Sequence, residues 1–308
     1  MNSEQTTEAV KKLCGALWDT LGSKNRDILV NTFCTDTSQL IPKLKVLTSH
    51  GALLHRCATN GTLDKVPAEL ISQESLTARE FNQGTVLHFA TRAGLSQIPA
   101  QYITPANMML KNREGETVLK LACKPGGIGA TKQNDWEIIK PMLTENNIRD
   151  KARDMSTILH TLAETGALDK LPKGAITTAG LSDKDRLGDT PLHIAARFGY
   201  LSQIHEYLTE DLLLIKSQYD RTVAATAARH GYAYQIPSTL LTQKVLLSPL
   251  FITTLINKDN LDHVLGANIP EIFRQDIAEE WWEKNQEIKQ IKGRKNLDPT
   301  QETDIDLF

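Results

Sequence analysis

Four of the eight histidines recur at one place in a repeated pattern: His55, His88, His160 and His193. Imidazole is the side chain best suited to general acid–base work or to zinc at neutral pH, so these come first. No nucleophile elbow accompanies them, and Ser-His-Asp or Cys-His arrangements are not evident. The four cysteines, Cys14, Cys34, Cys57 and Cys123, are widely spaced with no CxxC pair. They read as buried, reduced thiols in a cytoplasmic protein rather than as metal ligands. Gly126-Gly127-Ile128-Gly129 is glycine-rich but lacks the Lys-Ser/Thr that closes a phosphate loop. The residues therefore predict no catalytic set, no metal and no cofactor. His205 and His230 stand outside the recurring position and are expected at the surface.

The elements that position these histidines are periodic. The fullest unit is GDTPLHIAARFG at Gly188 to Gly199, and the frame returns in ALLHRCATNG, TVLHFATRAG, TVLKLAC, TILHTLAETG and TVAATAARHG. The starts fall at Ala52, Thr85, Thr117, Thr157, Thr190 and Thr222, a spacing of 32 or 33 residues with one of 40. A second element keeps step: an apolar–Pro pair (Val66-Pro67, Ile98-Pro99, Leu171-Pro172, Ile236-Pro237), then an apolar residue with Thr or Ser, as in Ile71-Ser72 and Leu208-Thr209. Two signals in one period define a repeat protein, in which each unit buries its apolar face only by stacking on its neighbours.

Within each unit, Thr is placed to cap the first helix and Pro191 suits its first position. Gly61, Gly94, Gly166, Gly199 and Gly231 are placed to stop it. Pro67, Pro172 and Pro237 are expected in the first turn of a second helix. The 40-residue spacing marks an insertion at 124–136, expected as a loop that either contacts a partner or idles.

The motif T-P-L-H-x-A-A with a period near 33 resembles the ankyrin repeat over about residues 49 to 268. The resemblance implies an all-α, ankyrin-type helical repeat solenoid with helical caps at both ends. It also implies that each ladder histidine bonds the capping Thr and a neighbouring backbone carbonyl, which is a structural role. This sequence departs from the pattern in places. Pro follows Thr only once, Lys120 and Ala225 replace the His in two copies, and the second helix is split at the apolar–Pro step, as in divergent bacterial-type repeats.

The expected organisation is an N-terminal helical cap at 1–48, repeats at 49–268 with a decayed last copy at Leu246 to Val264, a helix at 269–295 and a flexible tail at 296–308. In the cap, Ala9, Leu13, Leu17 and Leu21 fall at four-residue steps. The helix Glu271 to Lys292 carries Phe273, Ile277, Trp281, Ile288 and Ile291 on one face, either as a cap or as a surface for a partner.

Function then turns on binding. A net charge of −2 gives no basic footprint for nucleic acid. The polar start MNSEQTTEAV and the lack of a long apolar run give no signal peptide and no membrane partner. Two residues before the helix-ending Gly stand Thr59, Arg92, Glu164, Arg197 and Arg229, of which the three Arg form a candidate partner-binding stripe. The loop tips add Arg79, Phe81, Arg113, Arg186 and Tyr219. The same Arg positions also suit a merely solvated face.

The ending Asp304-Ile305-Asp306-Leu307-Phe308 is similar to the Q-L-[SD]-L-F peptide that docks in the bacterial sliding clamp, with Asp for Gln and Ile for Leu. That resemblance makes Ile305, Leu307 and Phe308 candidate anchors. The expected function is an adaptor that binds protein through the array and recruits a second partner through the tail. The alternative is a regulator of an enzyme, or an enzyme with a site in the concave face.

Overall fold

The computed structural model describes residues 3–251, apart from 50–51, 81, 125–131, 173, 247 and 249–250. The fold is all-α and of ankyrin-repeat type. Among the described residues the extended pairings are three isolated bridges at loop bases, Arg79 with Thr85, Lys111 with Thr117 and Lys216 with Thr222. The chain divides into two compact units, residues 1–186 and 187–308.

The first unit opens with helices Ser3–Cys14, Leu17–Thr20, Ser23–Thr35 and Leu40–Ser49. Its buried seam runs through Val10, Cys14, Leu17 and Leu21, whereas Leu13 is 48% exposed. The four-residue stripe read from the sequence therefore slips by one residue at its start. The cause is Gly15, whose φ of +55° breaks the helix. A Cβ at Gly15 would lie 2.0 Å from the Lys65 carbonyl, so only glycine fits this approach. Burial pushes the Cys14 thiol up to about 11 and raises that of Cys57. Cys34 is exposed, which corrects the expectation that all four thiols are buried.

The first helices of the repeats follow: Ala52–Asn60, Val86–Ala90, Val118–Ala122 and Ile158–Thr165. Each of the first two packs on the next. Their small and branched residues carry the core: Leu54, Ala58, Val86, Leu87, Ala90, Val118, Leu119 and Leu159 are essentially inaccessible. Small side chains allow close approach between helices, and each buried Leu or Val contributes roughly 1.5–3 kcal/mol.

The second unit repeats the scheme with helices Pro191–Phe198 and Val223–His230 packed together. Both end in a left-handed glycine, Gly199 at φ 79° and Gly231 at φ 83°. A Cβ at Gly199 would strike the Tyr232 ring at 2.7 Å.

The split second element has its own logic. Two one-turn 3₁₀ helices, such as Leu63–Lys65 and Ala68–Leu70, flank the apolar–Pro step. Pro67, Pro99 and Pro237 stand just before the second of them with ψ near 130°, as caps rather than inside the first turn. Pro forces the preceding residue out of the helical region, so Val66 is extended and a continuous helix cannot form. The Thr or Ser that follows caps a short α-helix, with Ser72, Thr104, Thr177 and Thr209 each accepting from the amide three residues on. The later part of the insertion, from 132 to 136, lies in the helix Lys132–Ile139 rather than in a loop. Residues 252–308, with most of the proposed last repeat, the 269–295 helix and the tail, lie outside the described residues.

Candidate functional site

The histidine ladder is built from the capping Thr outward. In the repeat at Thr85, the Thr85 amide donates to His88 Nδ1 at 3.1 Å and the Thr85 hydroxyl sits 2.8 Å from the same nitrogen. Nδ1 therefore bears the lone pair, and Nε2 carries the hydrogen it donates to the Glu116 carbonyl at 3.3 Å. The arrangement returns at Thr190, with Nδ1 of His193 3.1 Å from the Thr190 amide and Nε2 3.1 Å from the Arg221 carbonyl. Thr157 and His160 make the same capping pair. In His88 and His193 both ring nitrogens are occupied by the backbone, which leaves neither for a metal nor for proton transfer. Burial lowers the His88 pKa, against the opposing pull of the carbonyls of Glu116 and Leu110.

Lys120 takes the ladder position in the third repeat and is 3% exposed. Its Nζ reaches the Ser156 carbonyl at 3.1 Å and the Ser156 hydroxyl at 2.6 Å. Ser156 precedes the next capping Thr, as Glu116 and Arg221 do in their repeats, so the ammonium substitutes for imidazole in one inter-repeat bond. Burial lowers the Lys120 pKa, while the carboxylates of Asp154 and Glu116 at 3.9 and 4.0 Å pull it back.

A second ladder carried no local sequence signal. Gln97 accepts from the Leu63 amide and donates to the carbonyls of Ala58, Ala90 and Gly94. Asp135, 2% exposed on the insertion helix, accepts from the Leu95 amide at 2.8 Å. Gln235 donates to the Gly199 carbonyl at 2.6 Å. These side chains satisfy buried backbone groups between repeats, where an unmade bond is costly.

The loop tips bond tip to tip through the backbone: Arg113 to Asn82, Arg153 to Glu114 and Arg186 to Asp154 in the first unit, Gln218 to Leu187 in the second. Each tip has one residue at positive φ, Gln83, Gly115, Met155, Gly188 and Asp220. Arg79 does not project freely, because its guanidinium donates to the carbonyls of Gln83 at 2.6 Å and Lys111 at 2.8 Å. Arg113 and Arg186 are exposed, and Arg186 borders an open pocket of about 470 Å³ with Glu114, Glu116, Arg153 and Asp154. Tyr219 is 61% exposed. Phe81, Ile305, Leu307 and Phe308 lie outside the described residues.

Of the Arg stripe, Arg92 and Arg229 are exposed. Arg197 is half-buried and bonded to the buried Asp189 carboxylate at 2.6 Å. Arg221, not singled out in the sequence, joins this group. Burial first, then Arg229 and Arg197, lower its pKa, with Asp189 opposing. In the second unit Arg221 thus lies near Arg229, Arg197 and the Asp189 carboxylate that Arg197 holds.

Residues 187–214 match the ankyrin repeat family model. This span holds the Thr-Pro-Leu-His run and its second element, and an ankyrin repeat is a protein-interaction module. No curated protein matches the chain. Among solved structures, one similar chain belongs to "Bd0816 Predatory Endopeptidase from Bdellovibrio bacteriovorus in complex with immunity protein Bd3460". It is 20% identical, with a TM-score of 0.44, over 59% of this chain and 95% of that one. Among the described residues, no helix is long and apolar enough to cross a membrane.

Proposed function

We propose that the protein is a non-catalytic adaptor that binds another protein through the outward positions of its repeats. The supporting observation is a division of labour. The side chains best suited to chemistry, His88, His193 and Lys120, are spent on inter-repeat backbone bonds. Arg92, Arg113, Arg186, Tyr219 and Arg229 instead face solvent. Arg and Tyr are the residue types that anchor interfaces. The partner contacts we assign are Arg92, Arg113 and Arg186 in the first unit and Tyr219 and Arg229 in the second, with Arg79 and Arg197 as braced members and Phe81 as a further candidate. The tail with Ile305, Leu307 and Phe308 recruits a second protein, for which the bacterial sliding clamp is the candidate.

Capture by the tagged full chain, compared with an Arg92→Ala/Arg229→Ala variant and a chain lacking residues 296–308, tests both halves. The array variant should lose one captured protein and the truncated chain another. Identical capture by all three would refute the proposal. Titration of a labelled 296–308 peptide against the clamp tests that assignment separately, and no binding at hundreds of micromolar, roughly, would remove it.

A further inference from the structure

The repeats supply their own template for a binding site. The residue before each capping Thr and the residue eight positions later form a pair in the five repeats that begin with Thr: Gly84/Arg92, Glu116/Lys124, Ser156/Glu164, Asp189/Arg197 and Arg221/Arg229. Where this pair is acid and base, its side chains meet. Glu116 Oε1 lies 2.5 Å from Lys124 Nζ, and Asp189 Oδ2 lies 2.6 Å from Arg197 Nη2. The backbone of the repeat therefore brings the two positions within contact distance. In the last described repeat both are guanidinium groups.

Resting on the reading of this chain as a protein-binding adaptor, we propose that Arg221 and Arg229 receive a carboxylate side chain from an acidic segment of the partner. The carboxylate would occupy the place that Asp189 and Glu116 fill from within in their own repeats. Neighbouring acids make no ion pair with it: Asp189, which acts on Arg221 from a distance, is bonded to Arg197 at 2.6 Å, and Asp220, next to Arg221, is held by Lys216 at 2.7 Å. Neither the Arg221 nor the Arg229 side chain has a hydrogen-bond or ion-pair partner among the described residues, and Arg221 is half-buried. The repulsion from Arg229 and Arg197 and the burial that oppose charge on Arg221 are relieved by an incoming anion. Two guanidinium groups offer planar, forked donors suited to a carboxylate. Exposed Tyr219, two residues before Arg221, supplies an aromatic rim.

The test uses the full chain and a short labelled polyglutamate peptide, with polyglutamine as control, followed by fluorescence anisotropy at low and high salt. Binding should be salt-sensitive and absent for polyglutamine. Arg221→Asp installs the internal acid seen at Asp189, so it should close the site onto Arg229. Polyglutamate should then bind about tenfold weaker or worse, with the melting temperature equal or higher. Arg229→Gln, which installs no acid, should weaken binding in the same direction. Lys43→Asp, a matched charge change on the exposed face of the N-terminal helices, should bind as the wild type does.

Undiminished binding by Arg221→Asp, or an equal loss with Lys43→Asp, would overturn the proposal. Tighter binding of inorganic phosphate or an oligonucleotide at the same residues would also overturn it, by giving the site to phosphate. If the chain captures a partner that Arg221→Asp captures equally well, the acidic-segment assignment fails while the adaptor reading stands.

Discussion

Three residues into each first helix lies the ladder position, and seven residues in lies the outward position; they share a period and differ in fate. The ladder holds His55, His88, Lys120, His160, His193 and Ala225, all of them buried. The outward position holds Thr59, Arg92, Lys124, Glu164, Arg197 and Arg229, all half or fully exposed. Both carry nitrogen donors, so residue type alone does not separate structure from function. Where the helix points the side chain does. A donor aimed at the next repeat's carbonyl must bond it, because a buried carbonyl left unmade is costly, whereas a donor aimed at water is available to a partner.

The sharpest way to break this contrast is to empty the ladder. His193→Ala leaves the Arg221 carbonyl short of one donor and the Thr190 amide without its acceptor, so stability should fall by about 1–3 kcal/mol. His88→Ala should behave alike. Urea denaturation measures the loss, and partner capture below the midpoint should be unchanged. A stable but non-binding variant would move these residues into the site.

A smaller effect is expected at Arg197. Its removal takes the ion pair from the buried Asp189 carboxylate, so Arg197→Ala should cost on the order of 1 kcal/mol. Arg229→Ala should change stability by less than about 0.5 kcal/mol. Parallel thermal melts compare the two, and an equally large loss at Arg229 would show that its guanidinium serves the fold.

The ladder also predicts a pH response. The folded-state pKa of His88 lies below its ordinary 6.5, so the unfolded chain takes up the proton first. The contribution of His88 is intact above 6.5 and declines as pH falls from 6.5 to the lower folded value. The melting temperature should drop as pH falls below about 6.5, and His88→Ala should flatten part of that drop. Asp154 and Asp183, whose pKa values are lowered from 3.8, lose their contributions only in a separate window below that value. An unflattened profile would mean that His88 does not drive the response.

The smallest effect concerns the tips. Met155 holds a positive φ where its counterparts at 115 and 188 are glycine. Met155→Gly should stabilise by about 1 kcal/mol or less, read as a small upward shift in melting temperature, and a downward shift would show that the Met side chain contributes packing there.

How much of this was legible from sequence follows the range of the contacts. The Thr–His cap spans three residues and the glycine stops are local, so both were readable along with the repeat frame. The Leu13 error arose because a helix break at Gly15 depends on the Lys65 carbonyl, fifty residues away. The Gln97 and Asp135 bonds reach 34 and 40 residues, and nothing near either residue announces them. The helical part of the insertion likewise follows from Asp135 being drawn into that ladder. The Arg stripe was visible as a pattern of residue types. Its division into Arg197, ion-paired to Asp189, and Arg229, with no ion pair among the described residues, was not, because no helical or strand periodicity brings residues eight apart into contact.

The most direct test of the contrast between inward and outward positions is quantitative partner capture by the Arg92→Ala/Arg229→Ala variant, measured against wild type at a temperature where both are folded. The account predicts capture reduced by about tenfold or more with the melting temperature essentially unchanged. Equal capture by the two proteins would contradict it.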